Sequence, residues 1–338
     1  MRDPLVETLD RDGTWRALTT LPQKFALHGA DSFFRESWSV ATDVLGDRAA
    51  GLFQRMAIVT MKPDLVVSRG VEDCMRYMAA HGFRPVHAEL FRYNRTTTRE
   101  LWRYQWNVAT LDRIELSDVV HRRAPALTMF FLDTSTPLAV PAAARMTTLK
   151  GSAFPSAREG FHLRTVLGAP NRVLVLVHCP DEPMDIVREL GVIFDRPRLR
   201  RVYRRLGAAV DSGASIDAAA EIRLAYAQAE RGHLDVARAI GEVGERIAGC
   251  ARTSDKARQR SAAQAADRLR EAVTGGGSLR WREWSAELSR CGVGAGSWDV
   301  ALAASHLIQH DLPDSTCLIT ETGRRRWLSG EGLMLASA

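Results

Sequence analysis

The sequence predicts an α+β protein, because short apolar runs rich in β-branched residues alternate with stretches whose apolar residues recur at helical spacing. The run Met56–Met61 and residues 126–132 are typical of buried strands, and residues 71–81 between them are typical of an amphipathic helix. Beyond Phe194 the composition shifts to alanine and arginine with helical periodicity. We therefore expect a sheet-containing unit followed by an α-helical region.

Within the sheet-containing unit, the predicted elements alternate in chain order. The strand Met56–Met61 leads to the helix over residues 71–81, and residues 84–92 alternate apolar and polar side chains as in a half-buried antiparallel strand. A helix is expected over residues 96–104, since Thr97 or Thr98 is suited to its N-cap. The remaining elements before residue 172 are a short helix over 117–122, the strand over 126–132 and a helix over 137–145.

The stretch from Arg172 to Phe194 places a histidine between a strand and a helix. Residues 173–177 predict a buried strand, His178 lies at its end, and an acidic pair then opens a helix. Glu189, inside that helix, is positioned to hold one ring nitrogen of His178, which leaves the other as a nucleophile. A histidine that only caps a loop is the ordinary alternative, so this stretch alone leaves both possibilities open.

Two further regions flank this unit, which gives predicted domains at residues 1–55, 56–194 and 195–338. The first has an irregular lead-in over residues 18–25 and one or two amphipathic helices over 31–56, for which we expect a packing role or an oligomer contact. The third is expected to be α-helical, with a flexible break at Gly275-Gly276-Gly277-Ser278. Its predicted helices cover residues 218–232, 234–249, 254–273 and 298–310.

Composition narrows the class of protein. The 338 residues predict about two domains, and 46% hydrophobic with 25% charged residues are ordinary values for a soluble globular protein. The N-terminus has no apolar segment typical of a signal peptide, and no apolar run approaches the length of a membrane span. The five cysteines are scattered, without metal-type spacing. We therefore expect a cytoplasmic protein without a structural zinc site.

A second stretch, over a hundred residues before His178, gives the histidine a context. A strand ends there in Lys62-Pro63-Asp64, and these residues begin a series that resembles the nucleoside diphosphate kinase family over about 140 of the 338 residues, from 56 to 194. His178 falls on the family's phosphorylated histidine, and Glu189 keeps the family's offset from it. The other landmarks, in order, are Arg69-Gly70, Gly82-Phe83-Arg84 and Phe194.

The resemblance implies a fold and a chemistry. The fold is the ferredoxin-like βαββαβ arrangement, an antiparallel sheet covered on one face, with added helices. The activity is transfer of the γ-phosphate of ATP, through a phosphohistidine at His178, to a nucleoside diphosphate or a small specialised metabolite. Magnesium is implied as an ion held through the nucleotide phosphates. The residues implied as nucleotide- or phosphate-binding are Lys62, Tyr104, Arg145 and Arg164, with Asn171 nearby but without a one-for-one match.

Several positions depart from the family pattern. Val175 replaces an asparagine that contacts sugar and phosphate, and residues 112–114 occupy the place of the aromatic ring that stacks on the base. Gly151 or Ser152 replaces a phosphate-contacting threonine, and Cys179-Pro180 follows the histidine. The phosphate end of the site is kept while the sugar and base end is rebuilt. Two functions therefore stay open: a phosphotransferase with an altered acceptor, and a catalytically weak nucleotide-binding module that regulates or scaffolds through its helical region.

The segment between Arg196 and Arg205 contains six arginines and predicts a strongly basic helix. Such a helix can bind nucleic acid, but it more often is a solvated face or contacts an acidic neighbour. The partners expected from the sequence are thus a nucleotide and a second small-molecule acceptor, with an oligomer contact and nucleic acid as further alternatives and no membrane.

Overall fold

The structure of the chain is a computed structural model that describes residue 10 and residues 13–335. Residues 1–9 and 11–12 of the predicted N-terminal region, and residues 336–338 of the predicted C-terminal region, lie outside the described residues. Within the described part of the chain, no helix is both long enough and apolar enough to span a bilayer.

Four strands form one sheet, in the order β2-β3-β1-β4, and every neighbouring pair is antiparallel. Because β1 and β2 both run antiparallel to β3, which lies between them, they are parallel to each other, and β3 and β4 are related in the same way through β1. These two interleaved β-α-β units are the ferredoxin-like topology, so the predicted α+β fold is confirmed. The strands are β1 (Met56–Met61), β2 (Phe83–Phe91), β3 (Ala126–Asp133) and β4 (Val177–His178).

Helices fill the connections and both ends of the described chain. Up to β4 they are α1 (Pro22–Ala30), α2 (Ser32–Leu45), α3 (Ala49–Arg55), α4 (Pro63–Val67), α5 (Val71–Ala80), α6 (Arg95–Leu101), α7 (Leu111–His121), α8 (Ala142–Lys150) and α9 (Leu163–Val166). After β4 they are α10 (Pro183–Ile193), α11 (Arg196–Ser212), α12 (Ala219–Ala227), α13 (Val236–Ala251), α14 (Lys256–Val273), α15 (Trp281–Cys291), α16 (Trp298–Leu307) and α17 (Arg324–Leu328).

Both faces of the sheet are covered, which corrects the expectation of one covered face. Along β1, Val59 contributes to one hydrophobic core while Ile58 contributes to the other, as the alternation of side chains along a strand requires. One core includes residues of α5 and of the C-terminal helices α13–α16, and the other includes residues of α2, α3, α10 and α11. The added helices therefore bury the sheet face that a bare ferredoxin-like fold leaves open.

The strand predicted over residues 173–177 is much shorter than expected. Only Val177 and His178 pair with β1, where His178 lies opposite Thr60. Leu176 has a positive φ of 64°, a conformation that breaks an extended run. The side chain of Asn171 accepts the N–H groups of Val173 and Leu174, so the segment before Leu176 is stabilised by side-chain hydrogen bonds instead of a strand ladder.

The lead-in expected to be irregular contains helix α1, which begins with Pro22 at its first turn. Its Lys24 is 1% exposed and lies 2.8 Å from a carboxylate oxygen of Glu182, directly before α10. Glu182 also accepts hydrogen bonds from Thr19 Oγ1 at 2.7 Å and from the indole nitrogen of Trp327 at 2.8 Å. The start of α10 is thus held by residues that precede β1 in the chain and by a residue of the C-terminal region.

The C-terminal helices share a core with the sheet, although they were predicted as a separate domain. The backbone N–H of Gly232 donates to the carbonyl of Val67 in α4, and Arg69 donates to the carbonyls of Tyr226 and Ala229. A β-carbon at Gly232 would lie 2.5 Å from Trp298 and 2.7 Å from Val67. Whether residues 195–338 form a separate folding unit stays a prediction, but their packing against α4 is intimate.

Candidate active site

A cavity of about 230 Å³ opens beside the end of β4. It is bounded by the turn after β1, by the chain between α6 and α7, by α10, and by the segment that precedes β4. His178, Glu189, Lys62 and Arg164 all line this cavity, so four of the residues singled out in the sequence are brought together.

The ring of His178 is held at both nitrogens. Its Nε2 lies 2.7 Å from the carboxylate of Glu189, and the indole nitrogen of Trp102 lies 3.3 Å from Nδ1. An indole N–H can only donate, and an ionised carboxylate can only accept. The two partners therefore favour the neutral tautomer with the proton on Nε2 and the lone pair on Nδ1, which is the nitrogen directed at Trp102.

The Lys62-Pro63-Asp64 turn orders the backbone that leads to His178. Pro63 starts α4, and the backbone N–H of Lys62 donates to the carbonyl of Leu176. The carboxylate of Asp64 accepts the N–H of the same Leu176 at 2.9 Å. A non-glycine residue at positive φ costs of the order of 1–3 kcal/mol, so the turn supplies contacts that hold Leu176 in this conformation.

The ammonium group of Lys62 is almost fully buried at the cavity. It donates to the carbonyl of Val173 at 3.1 Å and lies 3.8 Å from the carboxylate of Asp64. Burial lowers the pKa of Lys62, and the neighbouring positive charges of Arg164 and Arg113 lower it further, against the opposing effect of Asp64. An anion in the cavity would reverse these effects.

Arg164, in α9, is buried without a carboxylate partner among the described residues. Its guanidinium donates to the carbonyls of Gly151 at 2.9 Å and Val177 at 3.1 Å, while its Nε is buried without a hydrogen-bond partner. Burial lowers the pKa of Arg164 to about 10. Gly151 has a φ of 79°, and a β-carbon there would lie 2.6 Å from the side chain of His162, so this approach of the chain requires glycine.

The cavity carries more positive than negative charge. The three acidic side chains that line it already have partners: Asp181 pairs with Lys150 at 2.8 Å, Asp185 with Lys24 at 2.6 Å from outside the cavity, and Glu189 with His178. The cations that line it are Lys62, Arg113, Lys150, Arg164 and Arg172. A buried cluster of this kind favours a bound anion.

Three residues expected at the site do not line the cavity. The hydroxyl of Tyr104 lies 3.2 Å from Asp31, and its ring stacks on His28, because α6 ends at Leu101 and the following turn directs Tyr104 away. Trp102 takes the place beside His178 instead. Arg145 pairs with Asp133 at 2.8 Å. Asn171 is buried and donates to Ser305.

Other residues at the cavity were not singled out in the sequence. Trp102 lies two positions before Tyr104, in the turn after α6. The position of that turn is the sequence feature that could have indicated Trp102 as the residue beside His178. Arg113 and Arg172 both donate to the carboxylate of Asp311, in the C-terminal region. Asp311 is far from either arginine in sequence and carries no local motif, so no sequence signal pointed to this contact.

Cys179, next to His178, is a poor nucleophile. Cys179 follows His178 and lines the cavity, but burial raises the pKa of its thiol to about 11. The thiol is therefore protonated at neutral pH and does not compete with the histidine as a nucleophile.

One group of possible metal ligands occurs in the described residues, away from this cavity: His233, Glu242 and Asp299. Nδ1 of His233 accepts the backbone N–H of Asp235, which places the ring proton on Nε2, the atom that faces the two carboxylates. A protonated nitrogen cannot ligate a metal, so this cluster fits a hydrogen bond from Nε2 of His233 to Glu242 better than a metal site.

The basic helix α11 is formed as predicted, and its arginines divide into two groups. Arg198 pairs with Glu89, and Arg200 lies 3.3 Å from Asp43, so these two contact acidic neighbours. The remaining four are exposed: Arg196, Arg201, Arg204 and Arg205. Binding of nucleic acid by this helix stays a prediction.

Comparisons with known proteins give one structural similarity to report. No model of a known protein family matches the chain, and no curated protein matches it. Among solved structures, an Aquifex aeolicus nucleoside diphosphate kinase is similar over 42% of this chain and 95% of its own length, with 17% identity and a TM-score of 0.35. Values this low carry no functional inference, so the fold assignment depends on the sheet topology of this chain.

Proposed function

We propose that the protein is a phosphotransferase that takes the γ-phosphate of ATP onto His178 and passes it to a nucleoside diphosphate or a small metabolite. The observation that carries the proposal is the imidazole of His178, fixed by Glu189 with its Nδ1 lone pair beside the buried cations Lys62 and Arg164. A reactive lone pair in a cavity lined by more positive than negative charge is what transfer of an anionic phosphoryl group requires.

The transfer would proceed in two steps. In the first, the Nδ1 lone pair of His178 attacks the γ-phosphorus, the N–P bond forms, and the bond to the bridging oxygen breaks so that ADP leaves with the electron pair. The Nε2 proton stays in place, and Glu189 stabilises the positive charge that develops on the ring. Lys62 and Arg164 would stabilise the phosphoryl oxygens. In the second step an anionic acceptor oxygen attacks the same phosphorus, the N–P bond breaks, and its electron pair returns to Nδ1 as the neutral imidazole.

The side chain of Trp102 has to move for this reaction. Its N–H occupies the direction from which Nδ1 would attack. The indole stacks on Tyr93 and on Trp106, and it would have to rotate against these rings to free the lone pair. The arrangement described here is therefore the resting state of the proposed nucleophile.

The cavity fits the phosphates of ATP better than its base. Lys62 and Arg164 suit phosphate oxygens, whereas the aromatic faces near the cavity are covered by cations: Arg113 lies over Trp106 and Arg172 over Phe154. Magnesium would be held through phosphate oxygens, because the carboxylates Asp181 and Asp185 are paired with lysines. When bound, the ion would neutralise charge on the phosphates.

The proposal is tested by incubating the purified chain with γ-labelled ATP and magnesium before any acceptor is added. We expect label on the protein that is acid-labile and alkali-stable, as a phosphoramidate is. The label should be absent from His178→Ala and slower to form in Glu189→Gln, while His306→Ala, which changes an exposed histidine, should label normally. Calorimetry with ATP on the same samples separates failure to bind from failure to transfer.

The second candidate is a nucleotide-binding module that regulates or scaffolds through its helical region. It is favoured by the indole N–H that occupies Nδ1 of His178 and by the absence of a free aromatic face in the described cavity wall. A chain that binds ATP yet takes up no more label than His178→Ala would establish this candidate in place of the enzyme.

A further inference from the structure

The cavity wall contains two arginines, Arg113 and Arg172, that share one carboxylate. Arg113 donates to one oxygen of Asp311 at 2.5 Å, and Arg172 donates to the other. The side chain of Arg113 is 7% exposed and that of Arg172 is 16% exposed. One buried and one partly buried positive charge thus share a single negative charge, and one unit of positive charge is left uncompensated.

The hydrogen-bonding capacity of this pair is not exhausted. The Nε atoms of Arg113 and Arg172 are both buried without a partner in the described structure. Burial lowers the pKa of Arg113, and the charge of Arg172 lowers it further, against the attraction of Asp311. A group with two negative charges and more acceptor oxygens than a carboxylate would satisfy this pair better than Asp311 does.

Asp311 belongs to a segment that hydrogen bonds tie to residues 104–110. The backbone N–H of Leu312 donates to the carbonyl of Val108, and that of Thr110 donates to the carbonyl of His310. Further along, Cys317 lines the cavity and donates to the carbonyl of Gln105. We call residues 308–319 the wall segment: within it, Cys317 lines the cavity and Asp311 contacts two arginines that line it.

The size of the cavity limits the ligand that fits while Asp311 contacts the two arginines. At about 230 Å³ it lies below the range of roughly 300–1,000 Å³ that drug-sized ligands occupy. The space suits a small anion, and a longer ligand reaches Arg113 and Arg172 only when the carboxylate of Asp311 moves aside.

We infer that Arg113 and Arg172 form a second anion subsite, which Asp311 fills until a ligand with two anionic groups replaces it. The ligand would direct one phosphate toward His178, Lys62 and Arg164, and would place a second phosphate or a carboxylate between Arg113 and Arg172. This inference rests on the proposed function for the identity of the first subsite. It implies that the small molecule that donates or accepts the phosphate carries two anionic groups.

Asp311→Asn tests the inference, with inorganic tripolyphosphate as a probe that has anionic groups at both ends. Removal of the competing charge should tighten binding of tripolyphosphate by about tenfold or more, measured by calorimetry. The matched control is Asp314→Asn, which removes the same charge from an exposed position of the wall segment and should leave the affinity within about twofold of the original. In the double variant Asp311→Asn/Arg172→Ala the gain should disappear.

Equal or weaker binding by Asp311→Asn would overturn the inference, because Asp311 would then orient the arginines for the ligand instead of competing with it. A second measurement uses the unmodified chain in case the variant folds poorly. Hydrogen exchange in peptides that cover residues 106–112 and 308–319 should become faster when tripolyphosphate saturates the protein, since Asp311 would no longer hold the wall segment against Arg113 and Arg172. Unchanged or slower exchange would also overturn the inference.

The outcome is separable from that of the proposed function. If His178 takes up label from ATP but Asp311→Asn does not alter tripolyphosphate affinity, the transfer stands and the second subsite fails. If Asp311→Asn tightens binding and His178 never takes up label, the subsite stands and the transfer fails. Inorganic phosphate, which has one anionic group, identifies which subsite is stronger, because Lys62→Ala weakens one subsite and Arg172→Ala the other.

Discussion

The indole nitrogen of Trp102 and Nδ1 of His178 lie 3.3 Å apart, so the ring nitrogen that is free of Glu189 is covered by a hydrogen-bond donor. This contact fixes the tautomer of the imidazole and at the same time occupies its lone pair. The same tryptophan lies under the ammonium group of Lys62, at 5.9 Å from its ring centroid. One side chain thus contacts both proposed partners of a phosphate.

Replacement of Trp102 by phenylalanine removes the N–H donor and keeps an aromatic ring in the stack. We expect label from ATP to appear on His178 faster, by about fivefold, because a hydrogen bond of roughly 1 kcal/mol no longer has to break before the attack. The measurement is the initial rate of labelling at saturating ATP. Trp106→Phe is the control, since Trp106 stacks on Trp102 without contacting His178, and an equal increase in that variant would contradict the explanation.

Lys62→Ala should weaken ATP binding by about 1.5–3 kcal/mol, the usual contribution of a charge-assisted hydrogen bond. Calorimetry at low and high salt measures the effect, and the loss should be smaller at high salt. Lys256→Ala removes a lysine from an exposed position in α14 and should leave the affinity unchanged. An unaltered affinity in both Lys62→Ala and Arg164→Ala would mean that the phosphates bind elsewhere.

Lys24→Ala should destabilise the fold strongly, by about 3–5 kcal/mol, because Glu182 and Asp185 would lose a buried cation. These carboxylates and the burial of the ammonium group act in opposite directions on the pKa of Lys24, and the net effect raises it. The lysine is therefore charged throughout the neutral range. Urea denaturation measures the free energy of unfolding, and Lys256→Ala again serves as the exposed control. A loss below about 1 kcal/mol would show that water reaches the carboxylates.

The contact between Glu89 in β2 and Arg198 in α11 makes stability depend on acid pH. Burial alone would raise the pKa of Glu89, but hydrogen bonds from His87 and Arg198, with their charges, outweigh it and lower the pKa from 4.5 to about 2. The folded form then binds the proton less tightly than the unfolded form, so this contribution is complete above about pH 4.5 and is lost as the pH falls toward 2.

Glu89→Gln should therefore flatten the decrease of stability between pH 4.5 and 2. Thermal melting over this range is the measurement. Glu36→Gln, which changes an exposed acid in α2, is the control and should keep the slope of the original protein. An identical slope in Glu89→Gln would mean that Glu89, His87 and Arg198 are solvated and do not interact appreciably.

Gly232→Ala tests how firmly the C-terminal helices are joined to the sheet. The added methyl group would collide with Trp298 and Val67, so we expect a loss of about 1–3 kcal/mol in the free energy of unfolding. Gly241→Ala, in the exposed face of α13 with no atom within 4 Å of the new β-carbon, should instead stabilise by about 0.5–1 kcal/mol.

The shape of the same melting curves bears on the predicted domain boundary. A fused unit should shift a single transition in Gly232→Ala, whereas a separate domain at 195–338 should give two transitions of which only one moves. Limited proteolysis around Gly275–Ser278 or residues 211–215 gives an independent reading, because fragments of a fused unit stay associated after cleavage.

The sequence predicted the sheet well, because each of β1, β2 and β3 carries its own apolar pattern and pairs over most of its length. It failed for β4, where Asn171 and the positive φ of Leu176 replace strand pairing with side-chain hydrogen bonds. It also missed the second covered face of the sheet, because the apolar pattern of an amphipathic helix does not identify the surface against which the helix packs.

At the candidate site, the residues found from sequence are those fixed to the ends of regular elements. His178 ends β4, Lys62 follows β1, and Glu189 lies inside α10. The choice of Tyr104 over Trp102 depended on where α6 ends, and helix ends are uncertain by a residue or two. Asp311 could not be predicted, because it is 198 residues from Arg113 and 139 residues from Arg172.

The carboxylate of Asp311 is attached to the chain that it contacts, so dilution of the protein does not weaken its hold on Arg113 and Arg172. A tether of this kind gives an effective concentration of the order of millimolar, which an incoming anion has to match before it occupies the pair. The apparent dissociation constant of such a ligand is its intrinsic constant divided by the fraction of molecules in which the arginines are free. The site would therefore respond to metabolites that are abundant and ignore those that are scarce.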